Sequence, residues 1–325
     1  MTVQLSDRSS LSKVQKCIIE KLWPGDICLR GDFVRRLRFG AGGEPERDEE
    51  VTVTVGGKAL RLQRLSLAGD GRYLLVPLDH SVSDGPVTGR RGWDDLIRAI
   101  VSGGADGVIV HKGRVRMIAP HILGRCALIV HLSAGTAHAA DRNDKVLVGA
   151  VEEALRMGAD AVSVHVNIGS DTESLQLADL GRIACACDQW QLPLLAMIYP
   201  RGPRIADARN PALLAHVVNI AADLGADLVK TAVAAPVARM ADVVESCPIP
   251  VLAAGGEPDT TDIAAYAADL MLAGCAGLAV GRRVFSSPRP ASVVARLAAV
   301  VHALPASADG MLRPGTHSSV TTGAA

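Results

Sequence analysis

Eight apolar runs of strand length recur between residues 73 and 280, and amphipathic stretches long enough for a helix separate most of them. The runs are 73–78, 107–110, 127–132, 161–166, 194–199, 228–230, 251–254 and 277–280. Such alternation predicts parallel strands joined by helical crossovers, because parallel neighbours cannot be linked by a tight turn. The runs are nearly continuous in apolar residues, which suits strands covered on both faces. A short repeat supports the same reading. Gly104-Ala105-Asp106, Gly158-Ala159-Asp160 and Gly225-Ala226-Asp227 each stand between a helical stretch and a strand, and Ala273-Gly274-Cys275-Ala276-Gly277 is a looser fourth copy. A glycine at such a joint can take the left-handed conformation that ends a helix. Eight strands and four copies of one joint predict an α/β chain folded as a (β/α)₈ (TIM) barrel. The competitor is a doubly wound open sheet, which has fewer strands, and no Gly-x-Gly-x-x-Gly follows the first run.

The 325 residues exceed one ordinary domain and suit a barrel with an appendage. Hydrophobic residues make up 49% and aromatics only 3%, so the core must be mainly aliphatic. Lys+Arg and Asp+Glu both number 34, which argues against a nucleic-acid binder but leaves room for a local phosphate pocket. No apolar run reaches a membrane span and the N-terminus lacks a signal-peptide pattern, so a cytoplasmic protein without membrane contact is expected. Seven scattered cysteines read as reduced, buried thiols. Residues 1–70 form an N-terminal extension. Helices are expected over 10–22 and 32–38, an acidic glycine-rich loop over 41–50, and a β-hairpin with arms 51–55 and 59–65 around Gly56-Gly57-Lys58. The barrel is expected over 71–305 and a flexible tail over 306–325.

Barrel enzymes carry their chemistry at the C-terminal ends of the strands. Those ends read Asp79 and His80; His111 and Lys112; His131; His165 and Asn167; Tyr199 and Arg201; Lys230; Gly255 and Gly256; Gly281 and Arg282. Lys230 is the candidate nucleophile, since a desolvated lysine has a lowered pKa and can form a Schiff base with a carbonyl substrate. The structural alternative is a lysine paired with a carboxylate or reaching solvent. Tyr199 is a candidate proton donor or acceptor and Asp79 a candidate general base; their alternatives are a buried structural tyrosine and a turn or capping residue. His80, His131, His165, Lys112 and Arg201 are candidate substrate contacts. Gly255, Gly256, Gly281 and Arg282, after the last two strands, are the candidate phosphate site, where glycine lets backbone N–H groups approach an anion. The histidines lack partners at metal-ligand spacing, so neither a metal nor another cofactor is expected.

The segments VPLDHSVSDGPVTG (76–89), VIVHKGRVR (108–116), 130–171, PLLAMIYPRG (193–202), LVKTAV (228–233), CPIPVLAAGG (247–256) and GLAVGRRVF (277–285) fall in the order of a known family. Over about residues 59–290 the chain resembles the class I, Schiff-base aldolases of the archaeal fructose-bisphosphate type. Within them it is most similar to the 2-amino-3,7-dideoxy-D-threo-hept-6-ulosonate synthases and their aminohydroxybenzoate-pathway relatives. The resemblance implies a barrel with Lys230 as Schiff-base lysine, Tyr199 as acid/base tyrosine, Asp79 as catalytic aspartate, and phosphate turns at Gly255, Gly256, Gly281 and Arg282. It implies a phosphorylated three-carbon ketone and an aldehyde, aspartate semialdehyde, as small-molecule partners. A homo-oligomer, a decamer or other assembly of pentameric rings, is implied as well. A class I fructose-bisphosphate aldolase, a related lyase or thiolase acting on another phosphorylated sugar, and a non-catalytic paralogue are the other readings. Two positions depart from the family pattern: Glu257-Pro258 follows Gly255-Gly256, and Gly135 stands where relatives often carry serine.

Overall fold

The computed structural model describes residues 56–89, 92–255 and 262–303. The expected elements over 10–55, Gly256, Glu257 and the tail over 306–325 lie outside the described residues. The chain divides into two units, 1–60 and 61–325, and the barrel belongs to the second.

The strands are β1 (Tyr73–Pro77), β2 (Gly107–His111), β3 (Ala127–His131), the short pair β4 (Ser133–Ala134) and β5 (Val146–Leu147), β6 (Ala161–Ile168), β7 (Leu194–Pro200), β8 (Leu228–Thr231), β9 (Val251–Ala254) and β10 (Gly277–Ala279). All but β4 and β5 are parallel and close into a barrel in the order β1-β10-β9-β8-β7-β6-β3-β2. The β1–β10 pairing, Tyr73 against Gly277, seals the ring. The helices are α1 (Gly57–Arg64), α2 (His80–Ser83), α3 (Trp93–Ser102), α4 (Lys112–Val115), α5 (Pro120–Leu123), α6 (Val151–Arg156), α7 (Glu173–Trp190), α8 (Pro211–Asp223), α9 (Met240–Glu245), α10 (Ile263–Leu272), α11 (Arg282–Phe285) and α12 (Pro290–Val301). All eight expected strands are present. The antiparallel pair β4–β5 was not expected. Among the described residues, no helix is long and apolar enough to cross a membrane.

Each barrel strand serves two cores. On β1, Tyr73 and Leu75 point inward to Ile109, Ile129, Leu195 and Leu252. Leu74 and Val76 point outward to Trp93, Ile97 and Ile100 of α3. Successive side chains on a strand alternate faces, and both faces are buried here, so both parities must be apolar. Leu62 and Leu65 join the inner core. Residues 59–64, expected as a hairpin arm, are instead helical in α1. Alanine, leucine, arginine and glutamine favour helix, and a three-residue spacing puts Leu62 and Leu65 on one side.

The Gly-Ala-Asp joints use both polar ends of the motif. Gly104, Gly158, Gly225 and Gly274 have φ of 91°, 80°, 93° and 89°. Another L-residue in that conformation would cost about 1–2 kcal/mol. The backbone N–H groups of Asp106, Asp160 and Asp227 donate to the carbonyls of Leu74, Leu128 and Leu194. The aspartate carboxylates accept in return from the N–H groups of those same leucines, at 2.6, 3.0 and 2.8 Å. Each aspartate therefore stitches the start of its own strand to the start of a neighbour. The fourth copy, with Ala276 in place of aspartate, keeps only the backbone bond, to Val251.

Asp106 also anchors the end of α12. His302 Nε2 lies 3.1 Å from its carboxylate and Nδ1 lies 2.8 Å from that of Asp70. The hydrogen bond to Asp106, opposed by burial and joined by that to Asp70, raises the imidazole to about 9. A folded value above the ordinary 6.5 means that the stabilisation is complete below pH 6.5 and is lost as pH rises towards 9. Urea unfolding of the wild type should weaken across that window. His302→Ala should flatten that part of the pH profile and lower stability at pH 6 by about 1–3 kcal/mol. Equal pH slopes in the two proteins would remove this clamp from the account.

Candidate active site

Strand parity aims the polar residues. Stepping by two along the inner face from Leu75, Ile109, Ile129, Ala161, Met197 and Leu228 leads to Asp79, His111, His131, His165, Tyr199 and Lys230. All six line one cavity of about 880 Å³ at the C-terminal mouth of the barrel. Near the top of these six strands the inner face changes from apolar to polar, while β9 and β10 end in Ala254 and Ala279.

Lys230 is 7% exposed. On β8 it pairs in register with Met197 of β7, so Tyr199, the next inward residue of β7, stands just above it. Lys230 Nζ lies 5.9 Å from the centre of the Tyr199 ring. The adjacent Thr231 hydroxyl donates to the Ile198 carbonyl at 2.8 Å and fixes β8 against β7. Tyr199 is 4% exposed, with the Arg201 guanidinium 4.2 Å above its ring and the His165 ring 5.1 Å away. Among the described residues the Tyr199 hydroxyl forms no hydrogen bond, which leaves it free for a substrate oxygen.

Asp79 faces three basic groups. His80 Nδ1 lies 3.6 Å and His131 Nε2 lies 3.9 Å from its carboxylate oxygens. Burial alone would push this carboxyl up, but His131, His80 and Lys230 together hold it at about 2. Among the described residues, Asp79 Oδ1 and His80 Nδ1 are buried without a hydrogen-bond partner. A buried carboxylate oxygen with an unused lone pair is available to a ligand. Its low value also bears on its role: a carboxylate ionised down to about 2 is a weak base but a lasting negative charge. Asp79 is therefore better suited to stabilising a cation than to carrying a proton.

The histidines are tuned the opposite way. Burial lowers His131 to about 4 despite Asp79, and its Nδ1 lies 2.8 Å from the Ser163 hydroxyl. Burial, then the positive charges of Arg201 and Lys145, hold His165 well below the ordinary range. His165 Nε2 sits 2.9 Å from Asn167 Oδ1, which fits a neutral ring with the proton on Nε2. Burial also lowers His80 and His111, with Asp79 opposing both. These rings are polar, uncharged walls. Among the described residues, no three His, Cys, Asp or Glu side chains form a group that could hold a metal ion.

Two expected contacts are otherwise engaged. Lys112 does not line the cavity; its ammonium is bound at 3.0 Å by Glu153 of α6. Parity explains the displacement, since His111 faces inward and the next residue leaves the strand to start α4. Gly255 lines the cavity, but its N–H is spent on the Ala279 carbonyl at 3.1 Å, so it is no amide donor for phosphate. Gly281 and Arg282 line the same side. A side chain on Gly281 would meet the Pro77 carbonyl at 2.6 Å and the His80 ring at 2.8 Å, so only glycine lets β10 close beside His80.

The β4–β5 excursion supplies what the strand ends alone do not. Its loop brings Arg142, Asn143 and Lys145 into the cavity wall. The Asn143 carbonyl accepts from Asn167 Nδ2 at 2.8 Å and Gln176 Nε2 at 2.9 Å, and Thr172 Oγ1 donates to Asp144 at 2.8 Å. The signal for it was length: nineteen residues, 132–150, separate β3 from α6, which is long for a loop in a compact domain.

A family model described as DeoC/LacD family aldolase matches residues 73–287, the whole of the barrel from β1 through α11. The chain belongs to the DeoC/LacD aldolase family. It is an enzyme of the class I aldolase kind. A Streptomyces griseus protein, 2-amino-4,5-dihydroxy-6-oxo-7-(phosphonooxy)heptanoate synthase, is 50% identical over 247 residues, 75% of this chain and 90% of that protein. A 2-amino-3,7-dideoxy-D-threo-hept-6-ulosonate synthase of Halobacterium salinarum is 39% identical over 251 residues, 77% of this chain and 93% of that one. Among solved structures, an archaeal fructose-1,6-bisphosphate aldolase with its catalytic lysine covalently bound to the carbinolamine intermediate is 26% identical. It aligns with a TM-score of 0.68 over 76% of this chain and 99% of its own.

The position of Lys112 gives a direct check on this layout. Lys112→Met should keep kcat/KM of the aldolase within about twofold, since a part-exposed ion pair contributes at most ~1 kcal/mol to stability. A tenfold loss with intact structure would return Lys112 to the substrate.

Proposed function

We propose that this aldolase forms a Schiff base between Lys230 and the ketone of dihydroxyacetone phosphate, or of a sugar phosphate cleaved to yield it. The three-carbon unit is then passed to aspartate semialdehyde. The observation that carries this reading is Lys230, a lysine buried on the inner face of β8 with its Nζ 5.9 Å from the Tyr199 ring and facing the charge of Asp79.

The carbon skeleton in the name of the Streptomyces griseus relative supports the choice of partners. An aldol joins the α-carbon of a ketone to an aldehyde carbon. Cutting that heptanoate between its fourth and fifth carbons leaves a four-carbon amino acid aldehyde, aspartate semialdehyde, and a three-carbon ketone carrying the phosphate.

The chemistry balances with the residues in hand. The Lys230 amine adds to the ketone, the carbinolamine hydroxyl takes up a proton and leaves as water, and a positively charged iminium remains; the same proton is returned when the iminium is hydrolysed. Asp79 stabilises that cation, and no low-dielectric reorganisation is needed because the charge is already in place. The iminium draws electrons from the adjacent C–H bond, whose proton leaves to give an enamine. The enamine carbon attacks the aldehyde carbon, and the aldehyde oxygen takes up a proton to become the new hydroxyl. Tyr199 stands where it can carry these protons. Water then hydrolyses the iminium and restores Lys230. The donor phosphate belongs at the β9–β10 end of the cavity, with Gly281, Arg282 and Arg283.

Incubation with dihydroxyacetone phosphate and aspartate semialdehyde should give one seven-carbon product by mass spectrometry. Lys230→Met should lower kcat at least ~1,000-fold, about 4 kcal/mol of barrier, and Tyr199→Phe about 100-fold. Retention of most activity by Lys230→Met would overturn the assignment. Faster cleavage of fructose 1,6-bisphosphate than condensation of the semialdehyde would favour the sugar-bisphosphate reading.

A further inference from the structure

The cavity has two cationic ends. One lies at β9 and β10, with Arg282 and Arg283. The other is built from Lys145, on the excursion that follows β3, and Arg201, just past β7; in the ring order β3 stands four places from β9 and β7 three places from β10. A substrate that spans this mouth over Lys230 meets cations at both ends, and the donor phosphate accounts for one of them.

The second end is a made feature of the fold. β4 and β5 pair Ser133 with Leu147 and Ala134 with Val146, so the chain returns immediately after Lys145. The Asn143 and Asp144 contacts to β6 and α7 hold it from the other side. Lys145 Nζ donates to the Asp144 carbonyl at 3.0 Å and the Arg142 carbonyl at 3.4 Å. An ammonium has three donors, so one remains for a ligand. Among the described residues Lys145 forms no ion pair, and the Arg201 guanidinium forms neither an ion pair nor a hydrogen bond beyond its seat over Tyr199. Burial first, then the charge of Arg201, lower the Lys145 amine below its ordinary value. Two cations that repel each other beside the reacting residues are relieved by an anion between them.

Gly135 makes this arrangement possible. A Cβ at that position would fall 2.4 Å from the Asp144 carbonyl and 2.6 Å from Lys145 Nζ. The ammonium occupies the space that a side chain such as serine would take. The surroundings also bear on which anion fits. The charges of Asp144, Asp141 and Asp84 act on Lys145 and hold its positive charge in place. Of these, Asp84 lines the cavity, and a carboxylate in the wall near the two cations suits a zwitterion, with an ammonium beside its carboxylate, and disfavours a dianionic phosphate.

We infer that Lys145 and Arg201 bind the α-carboxylate of the acceptor aldehyde, in a zwitterion subsite whose space is opened by Gly135. This assignment rests on the proposed aldol reaction and names the residues that select its acceptor. The test is steady-state kinetics with dihydroxyacetone phosphate and three acceptors: aspartate semialdehyde, glyceraldehyde 3-phosphate and propionaldehyde. Lys145→Met and Arg201→Met should each lower the ratio of kcat/KM for aspartate semialdehyde over propionaldehyde at least tenfold, mainly through KM for the semialdehyde. KM for dihydroxyacetone phosphate should move less than twofold. Gly135→Ser should lower the same ratio at least threefold by displacing the ammonium. An unchanged ratio in both methionine variants, or a wild type that prefers glyceraldehyde 3-phosphate, overturns the subsite while leaving the aldol reaction standing. A wild type that condenses none of the three overturns the parent reaction, and the subsite with it.

Discussion

A lysine that leaves a parallel strand on the inner side of a closed barrel has no route to bulk water except through the mouth. That constraint organises the site. Lys230 is anchored by the β8 register and the Thr231 bond to β7, and it rises into a space walled by Tyr199 and by uncharged histidines. Burying a charge without compensation is expensive. Asp79 supplies the compensation, and its own low value of about 2 reflects the basic groups facing it, Lys230 among them. An iminium formed at Lys230 would be a cation in the same place, so the field that the fold already maintains is the one the intermediate needs.

The same environment separates the roles of the ionisable groups. Burial strips the charge from His131 and His165, so these rings offer hydrogen bonds without adding positive charge to a site that already holds Lys230 and Arg201. Charge is concentrated at the two ends of the cavity instead. The proposed reaction runs between them, and its product would carry an anionic group at each end of its chain.

Much of this was legible in the sequence because its causes are local. Each barrel strand is an apolar run, each Gly-Ala-Asp joint is a left-handed helix end, and the polar residues just past the runs face the cavity by parity alone. The aspartate of the joint was visible, but its hydrogen bonds to Leu74, Leu128 and Leu194 were not, because they cross between strands. Parity also explains the misplaced Lys112, one residue beyond an inward-facing histidine and so on the wrong side. The phosphate role given to the Gly255 amide fails for a related reason: whether an N–H is free depends on the neighbouring strand. Helix α1 was read as a hairpin arm because Gly56-Gly57-Lys58 reads as a tight turn, although the composition that follows favours helix. Lys145 was passed over altogether. Its place depends on Gly135, Asn143 and Asn167 meeting in space, and no spacing in the sequence encodes that meeting.

The central claim is that Lys230 becomes covalently attached to the substrate. The most direct measurement is to incubate the protein with dihydroxyacetone phosphate, reduce with borohydride, digest, and locate the modified residue by mass spectrometry. The account predicts one stable adduct, on Lys230, that is absent without reductant. An adduct on Lys145 or Lys112 in its place, or none while an aldolase of known Schiff-base chemistry is trapped in parallel, would contradict it.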